Sequence, residues 1–478
     1  MQYDNGGLTI GMNYFYQLEK YANRQAAIQE NGQIVTYKEL TNIQDELKVV
    51  LSYRSLVFTL CSNTIGSLCA YVGILGAGSV QLLLDAEMSD DLLNTLIDTY
   101  RPNYLFMPVA SSRFHEKKEV YRAYDYKLVE CYVEEQLDLY QELALLLTTS
   151  GSTGSPKLVR QSYKNIQANV ESIVAYLELN ETERPITTLP MNYTYGLSII
   201  NSHLQVGATL LITSKTIMSK QFWDFAKAKE ATSFGGVPYT YEMLKKIKFN
   251  RIDVPSLKTM TQAGGKLSPQ LHKEFAELAF ATGKRFVVMY GQTEATARMA
   301  YLPHEKSVEK YGSMGIAIPG GKFQLLNENQ EIITEPNITG ELAYIGDNVT
   351  LGYAQVREDL KLGDERNGYL LTGDMAKMDE DGYFYIVGRK KRFLKLYGNR
   401  VNLDDLDVII KKNYQGIDFA STGDDTGLRL YVNDESVVRE MKEYIHNETG
   451  INPKAISLHY IEKIPRNGSG KILYKELG

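Results

Sequence analysis

Apolar and polar positions follow two periods along this chain, and segments of the two kinds take turns. Around Ile65–Leu75 the apolar residues fill a buried helix, and a glycine turn then leads into the short apolar run Val80–Leu84. A run of that length, bounded by a turn, predicts a buried strand. The stretch Pro185–Ser214 again has a glycine turn before a predicted strand, Ala208–Thr213. Leu143–Thr148 reads as a buried strand feeding a Ser/Thr/Gly loop, Tyr163–Leu177 as a helix, and Phe286–Tyr290 as a short buried strand before a polar loop. From about Lys322 the texture changes to short strands and turns, at Phe323–Leu326, Gly340–Tyr344, Gly368–Thr372 and Tyr383–Val387. The pattern predicts an α/β protein with a large N-terminal domain of α/β subdomains plus a β-rich subdomain. The charged stretch Gly388-Arg389-Lys390-Lys391-Arg392 has the composition of a linker, and a small α+β C-terminal domain is expected after it.

Two long uncharged stretches, Thr59–Leu84 and Pro185–Ser214, have the length of a bilayer span. Asn63 and Gln81 interrupt the first, and Asn192, Asn201 and His203 the second, so both read as buried soluble segments and no membrane span is expected. The chain has 478 residues, 52 of them basic and 58 acidic, for a formal charge of −6. That balance argues against a nucleic-acid backbone as the main partner. The length suggests about three structural units. Cys61, Cys69 and Cys131 form no CxxC pair, which argues against a disulfide framework or structural zinc and suits a cytoplasmic location. Met1–Met12 has neither a basic residue nor an apolar core and does not read as a signal peptide.

The densest chemical signal is Thr148-Thr149-Ser150-Gly151-Ser152-Thr153-Gly154-Ser155-Pro156-Lys157. Glycines let backbone N–H groups approach an oxyanion, hydroxyls add donors, and a lysine adds charge. A Walker loop is excluded because its spacing is absent. Gly468-Ser469-Gly470-Lys471 also fails, since Pro465 holds the upstream glycine position and Ile472 follows the lysine.

With further strings in order, the chain resembles the acyl-activating, adenylate-forming (AMP-binding) enzyme superfamily of acyl- and aryl-CoA synthetases, luciferases and peptide-synthetase adenylation domains. The strings are Gly264-Gly265, Tyr290-Gly291-Gln292-Thr293-Glu294, Gly340-Glu341-Leu342 with Gly352-Tyr353, and Thr372-Gly373-Asp374. Gly388-Arg389, Lys395 with Gly398, and Pro465-Arg466-Asn467-Gly468-Ser469-Gly470-Lys471 complete them. The resemblance spans essentially the whole chain. It implies an ATP- and Mg2+-dependent ligase that converts a carboxylate to an acyl adenylate, releases pyrophosphate, and passes the acyl group to CoA or to the phosphopantetheine of a separate acyl carrier protein. It also implies an N-terminal domain over residues 1–388, a hinge at 389–391 pivoting on Lys391, and a mobile C-terminal lid at 392–478.

The same resemblance implies site residues. Lys471 would bridge carboxylate and phosphate during adenylation. Thr149, Ser150, Gly151, Ser152, Thr153, Gly154 and Lys157 would hold the β- and γ-phosphates, Gly264, Gly265 and Tyr290 would also bind ATP or AMP, Tyr290 at the adenine, and Gly264 would help to shape the acyl pocket. Thr293 and Glu294 would act at the reacting centre, Glu294 as the magnesium carboxylate. Asp374 and Arg389 would contact the ribose. Lys395 and Gly398 would serve the thiol step, Gly398 by letting a pantetheine arm pass. Asn192, Tyr193, Tyr195, Met289 and Gly291 would shape the acyl pocket. A neutral amide at Asn192 cannot pair with a substrate ammonium, which points away from amino acids and toward a small aryl or acyl acid. An amino-acid-adenylating enzyme and a catalytically silent nucleotide-binding protein on the same scaffold remain alternatives.

Overall fold

The computed structural model describes residues 13, 15, 17–51, 53–134, 136–148, 157–396, 399–424, 427–449, 451–466 and 472–477. Two compact units emerge: residues Met1–Lys322 with Tyr344–Leu370, and Phe323–Ala343 with Leu371–Gly478.

The first unit is built on two large sheets. One runs, in spatial order, Gly352–Ala354, Leu158–Ser162, Leu143–Thr148, Val80–Asp85, Leu56–Cys61, Tyr104–Pro108, Tyr126–Glu130 and Glu119–Ala123. Its central strands are parallel: Leu60 pairs with Leu84, and Leu82 with Leu146. Such strands are buried on both faces, which explains their near-continuous apolar runs. Successive residues of Leu56–Cys61 enter different cores: Val57 and Cys61 pack on one side, Leu56, Phe58 and Leu60 on the other. The second sheet carries the parallel strands Pro185–Ile186, Ser233–Gly236, Thr259–Gln262 and Arg285–Tyr290, then the antiparallel strands Ala300–Tyr301 and Ile316–Ala317. The helix Ile65–Gly76 is buried at every residue and contributes to one core with residues of the helices Tyr163–Leu177 and Thr194–Gln205. Such an all-apolar surface marks a helix inside the protein rather than on it.

In the second unit the strands Ile332–Ile333, Lys322–Leu326, Gly340–Ile345, Tyr369–Met378 and Phe384–Arg389 form a sheet in that order. The C-terminal segment has its own core, in which Leu406 and Ile410 of the helix Leu403–Asn413 meet Met441 and Ile445 of the helix Val438–Thr449, beside Leu428, Leu430 and Val432.

The predicted strand Leu143–Thr148 and helix Tyr163–Leu177 form over the same residues. The helix opens with a capping box, Ser162 with Asn165. Two expectations are corrected. The strand predicted at Ala208–Thr213 is confined to Leu210–Ile212, because Gly207 takes φ +74° to turn the chain, the Ala208 N–H still bonds back to the His203 carbonyl, and the Thr213 N–H is taken by the Thr187 hydroxyl. The strand predicted at Gly368–Thr372 runs instead over Tyr369–Met378, straight through Thr372-Gly373-Asp374, since Asp374 and the residues after it pair with Arg389 and its neighbours. Along the charged stretch, Phe384–Arg389 is a strand, Lys390–Arg392 a 3-10 turn, and Phe393–Leu396 a strand again. Arg392 explains the order. Its guanidinium reaches Asp404 at 2.6 Å and Asp407 at 2.5 Å, both on Leu403–Asn413.

Candidate active site

The strand Leu143–Thr148 and the strand Leu158–Ser162 pair antiparallel up to Thr148 opposite Leu158. The hydroxyl- and glycine-rich segment joins their ends. Thr149, Ser150, Gly151, Ser152, Thr153 and Gly154 lie outside the described residues, as do Ser155 and Pro156, and description resumes at Lys157. Its Nζ sits 3.5 Å above the centre of the Tyr353 ring. Tyr353 is brought there by pairing: its strand adds to the sheet edge with Tyr353 opposite Val159. Arg160, fully buried, fixes that edge through the Tyr353 carbonyl at 2.9 Å and the Glu365 carboxylate at 2.5 Å. The Tyr353 hydroxyl donates to Glu294 Oε1 at 2.9 Å, and the Arg366 guanidinium lies 4.5 Å from the ring centre. Burial, reinforced by the Glu294 charge, pushes the Tyr353 phenol up to about 12. One aromatic ring thus joins a lysine, an arginine and a carboxylate.

Glu294 reaches this cluster from the second sheet. It follows the carboxyl end of the strand Arg285–Tyr290, the end at which open α/β sheets place ligands. The loop after that strand is tightly constrained. A Cβ on Gly291 would lie 1.7 Å from the Ala297 carbonyl oxygen, so only glycine permits this close return. Thr296 has φ +64° and ψ −56°, and the Ala297 N–H donates to the Ala295 carbonyl at 2.7 Å. This is a γ-turn of the strained hand on a β-branched residue. Its surroundings hold it: Thr296 Oγ1 donates to the Asn348 carbonyl at 2.7 Å, Thr194 Oγ1 donates to the Thr296 carbonyl, and the Asn348 amide donates to Ala295 and Arg298 carbonyls. The Glu294 carbonyl accepts from Thr350 and Arg366. Glu294 Oε2 makes no hydrogen bond or ion pair among the described residues. Thr293 opens the same turn, and Tyr290, half-buried, accepts from the Gln292 amide at 3.2 Å.

The acyl-pocket candidates meet in a second cluster of the same unit. Tyr195, buried, shares a hydrogen bond with Thr261 Oγ1 at 2.7 Å. Tyr193 is half-buried, and its hydroxyl faces Gly264, where a Cβ would come within 2.4 Å of it. Gly264 takes φ +81°, and Gly265 follows it. Met289 packs against Tyr195 and accepts from Tyr176 through sulfur at 3.0 Å. Asn192, half-buried, precedes Tyr193 in the chain, and its side-chain amide makes no hydrogen bond among the described residues, so it is not consumed by capping the loop. Gly291 belongs to the Glu294 loop, where close packing explains it. Burial raises the Tyr193 hydroxyl to about 12 and Tyr195 and Tyr176 upward as well, which keeps all three neutral donors.

In the second unit, Asp374 and Arg389 face each other across neighbouring strands, Arg389 Nε 2.8 Å from Asp374 Oδ1. Asp374 is almost fully buried and also takes its place through Thr372, whose hydroxyl accepts from the Asp374 N–H at 3.1 Å. Lys390 reaches the buried Glu341 carboxylate at 2.5 Å. The side chains of Lys391 and Lys395, and the whole of Gly398 and Lys471, lie outside the described residues.

Sequence reasoning assigned no role to Tyr353, Arg366, Tyr176 or Arg298. Tyr353 was visible only as part of a Gly-Tyr pair. Arg298 carried the clearer signal: it is a lone charge inside the apolar run Ala295–Leu302.

A divalent metal fits this chemistry in one way. No cluster of three or more His, Cys, Asp or Glu side chains suited to a metal occurs among the described residues. The free Oε2 of Glu294 fits a hard ion that takes one protein oxygen and its remaining ligands from water and phosphates. Among the described residues no helix is long and apolar enough to cross a membrane.

Comparison with known proteins agrees with the architecture. The curated relatives include the oxalate–CoA ligase of Arabidopsis thaliana, 29% identical over 69% of this chain and 66% of its own length. They also include a long-chain-fatty-acid–CoA ligase of Salmonella typhimurium, 28% identical over 70% of this chain and 61% of its own. The matched part thus spans less than two thirds of these relatives. Among solved structures, the o-succinylbenzoate CoA synthetase of Bacillus subtilis with its acyl-adenylate intermediate superposes with a TM-score of 0.79 at 21% identity, over 97% of both chains. The ATP-bound MatB of Rhodopseudomonas palustris gives 0.77 at 21%, over 97% of this chain and 98% of its own. The model of the AMP-binding enzyme family matches residues 14–354, and the chain belongs to that family.

Proposed function

We propose that this protein is an ATP-dependent, AMP-forming acid–thiol ligase. It adenylates an aryl or small acyl acid, releases pyrophosphate, and transfers the acyl group to CoA or to a carrier-protein phosphopantetheine. The observation that carries the reading is the Glu294–Tyr353–Lys157 cluster: a carboxylate with one free oxygen and a lysine held on one ring, beside the end of a buried strand. Family membership, curated relatives named as CoA ligases, and a solved relative named with its acyl-adenylate intermediate support it.

The chemistry follows from charge. The acid's carboxylate oxygen attacks the α-phosphorus of ATP, a P–O bond forms, and the bond to the β-phosphate oxygen breaks with pyrophosphate as leaving group. Two anions approach each other, so the site must supply positive charge and fixed donors. Lys157 supplies charge at the leaving phosphates, with the hydroxyls and N–H groups of Thr149–Gly154. Lys471 supplies it between carboxylate and phosphate. Glu294 would hold Mg2+, which neutralises phosphate charge when bound. Tyr353 keeps Glu294 aimed, and Thr293 adds a hydroxyl at the same turn. Asp374 accepts from the ribose hydroxyls beside Arg389, Tyr290 lines the base, and Gly264 and Gly265 bind the nucleotide. In the second step a thiolate attacks the acyl carbon and AMP leaves. Residues 392–478 then turn about Lys391 and exchange Lys471 for the Lys395–Gly398 face, along which the pantetheine arm passes.

A panel of carboxylic acids in a pyrophosphate-release assay, with CoA and then carrier proteins as acceptor, tests the reading. It expects release that depends on both ATP and acid. Absence of release across the panel contradicts it.

A further inference from the structure

Arg298 stands apart from every other arginine described above. It is 2% exposed and forms no ion pair with any described carboxylate. Nε donates to Ser198 Oγ at 3.0 Å, and Nη1 donates to the Tyr176 hydroxyl at 3.0 Å and toward Met289 sulfur at 3.3 Å. The Tyr195 ring lies 5.3 Å from Cζ. All these partners are neutral. Nη2, with two N–H donors, makes no hydrogen bond to the described protein.

A buried guanidinium is costly unless a counter-charge and acceptors meet it. The nearest polar wall does not provide them. Arg298 lines a small cavity with Glu183 and His203, of about 20 Å³, which is room for water. The Glu183 carboxylate is engaged by Thr232 Oγ1 at 2.5 Å and forms no ion pair with Arg298. His203 Nδ1 bonds the Ile199 carbonyl at 2.8 Å, and its buried Nε2 has no partner. The arginine therefore holds an unanswered charge among Tyr176, Tyr195 and Met289, the side chains of the acyl-pocket cluster.

Resting on the ligase reading above, we propose that Arg298 is a specificity-determining residue that binds a second anionic group on the substrate, so that the acid adenylated here is a dicarboxylic acid. One carboxylate reacts at the Glu294 turn and the other meets Nη2 of Arg298. Glu294 and Arg298 lie four positions apart, at most about 14 Å of extended backbone, and the γ-turn at Thr296 shortens that path. The spacer between the two carboxylates is then a short chain or a single ring, flanked by tyrosine faces. A carboxylate needs more room than the cavity offers. Tyr193, half-buried and with its hydroxyl unbonded among the described residues, meets Tyr195 edge to face, and Tyr195 borders Arg298; movement of this tyrosine pair yields the room.

The test compares succinate, glutarate, adipate and homophthalate, each against its monomethyl ester, by kcat/KM for pyrophosphate release. Each ester keeps one reactive carboxylate and loses the distal charge. The full-length enzyme is expected to prefer at least one diacid over its ester on the order of 100-fold, the scale of a buried charge pair. Arg298→Gln is expected to remove that preference by slowing the diacid, and Arg298→Lys, which keeps charge without the fork, to retain part of it. Circular dichroism melting checks that both variants fold. Ser198→Ala, which frees Nε, provides a milder variant expected to lower the preference several-fold. Pyrophosphate release with equal or better turnover of the esters, or an Arg298→Gln variant that keeps the diacid preference, overturns the inference and leaves the ligase reading intact. No release with any acid contradicts the ligase reading instead. Thermal stabilisation by glutarate then decides the anion site: loss of the effect in Arg298→Gln upholds it, and no effect in the wild type overturns it.

Discussion

Tyr353 is the hub of the proposed reaction centre, and two substitutions separate its contributions. Tyr353→Phe removes only the hydroxyl that donates to Glu294 Oε1 at 2.9 Å. A hydrogen bond to a charged acceptor contributes about 1.5–3 kcal/mol, and each 1.4 kcal/mol is about tenfold in rate. With Glu294 half-exposed, the lower part of that range applies, and acid-dependent pyrophosphate release should slow about 10-fold. The ring stays, with Lys157 3.5 Å above its centre and Arg366 4.5 Å away. Tyr353→Leu removes the ring too. A cation over an aromatic face contributes about 0.5–2 kcal/mol, so a further loss of several-fold is expected, seen as a raised KM for ATP because Lys157 loses its support. The assay is steady-state pyrophosphate release at varied ATP and Mg2+. For Tyr353→Phe the defect should ease as Mg2+ rises. A phenylalanine variant with wild-type rates at every Mg2+ concentration would refute the claim that this hydroxyl aims Glu294.

Four further outcomes are expected. Burial lowers both His203 and His272 to about 4, against about 6.5 in an unfolded chain; the unfolded state takes up protons first, so stability falls as pH drops from about 6.5 to 4, by about 3 kcal/mol per histidine. Urea unfolding at several pH values checks this, and a His203→Gln/His272→Gln variant whose acid loss matches the wild type contradicts it. Gly291→Ala forces a Cβ to within 1.7 Å of the Ala297 oxygen and should cost about 3 kcal/mol as well as adenylation; an unchanged melting temperature counts against the close return. Lys471→Ala should slow acyl-adenylate formation by at least about 100-fold yet let a preformed adenylate react with thiol. Lys391→Pro should do the converse, and normal thioester formation in that variant removes the pivot.

How far the sequence spoke depended on where each signal lived. Leu143–Thr148 and Tyr163–Leu177 were legible to the residue because period, length and capping agree there. Thr372-Gly373-Asp374 misled, because a glycine before an aspartate has turn chemistry; the chain keeps its strand, with Gly373 at φ +70°, since pairing with Phe384–Arg389 outweighs local preference. The Glu294 turn was legible as a motif, whereas the strained Thr296 that shapes it was not, because no local preference favours that conformation. Tyr353 escaped notice because its importance comes from a sheet-edge pairing with Val159, nearly two hundred positions away in sequence. Arg298 was visible as a charge among apolar neighbours, but only burial without a carboxylate gave it meaning.

The most direct trial of the central claim is ATP–pyrophosphate exchange measured with and without carboxylic acid, alongside AMP formation on adding CoA. The account predicts exchange that requires an acid and AMP release that accelerates with the thiol. Exchange indifferent to every acid, in a protein that also shows no affinity for ATP or AMP, would contradict it.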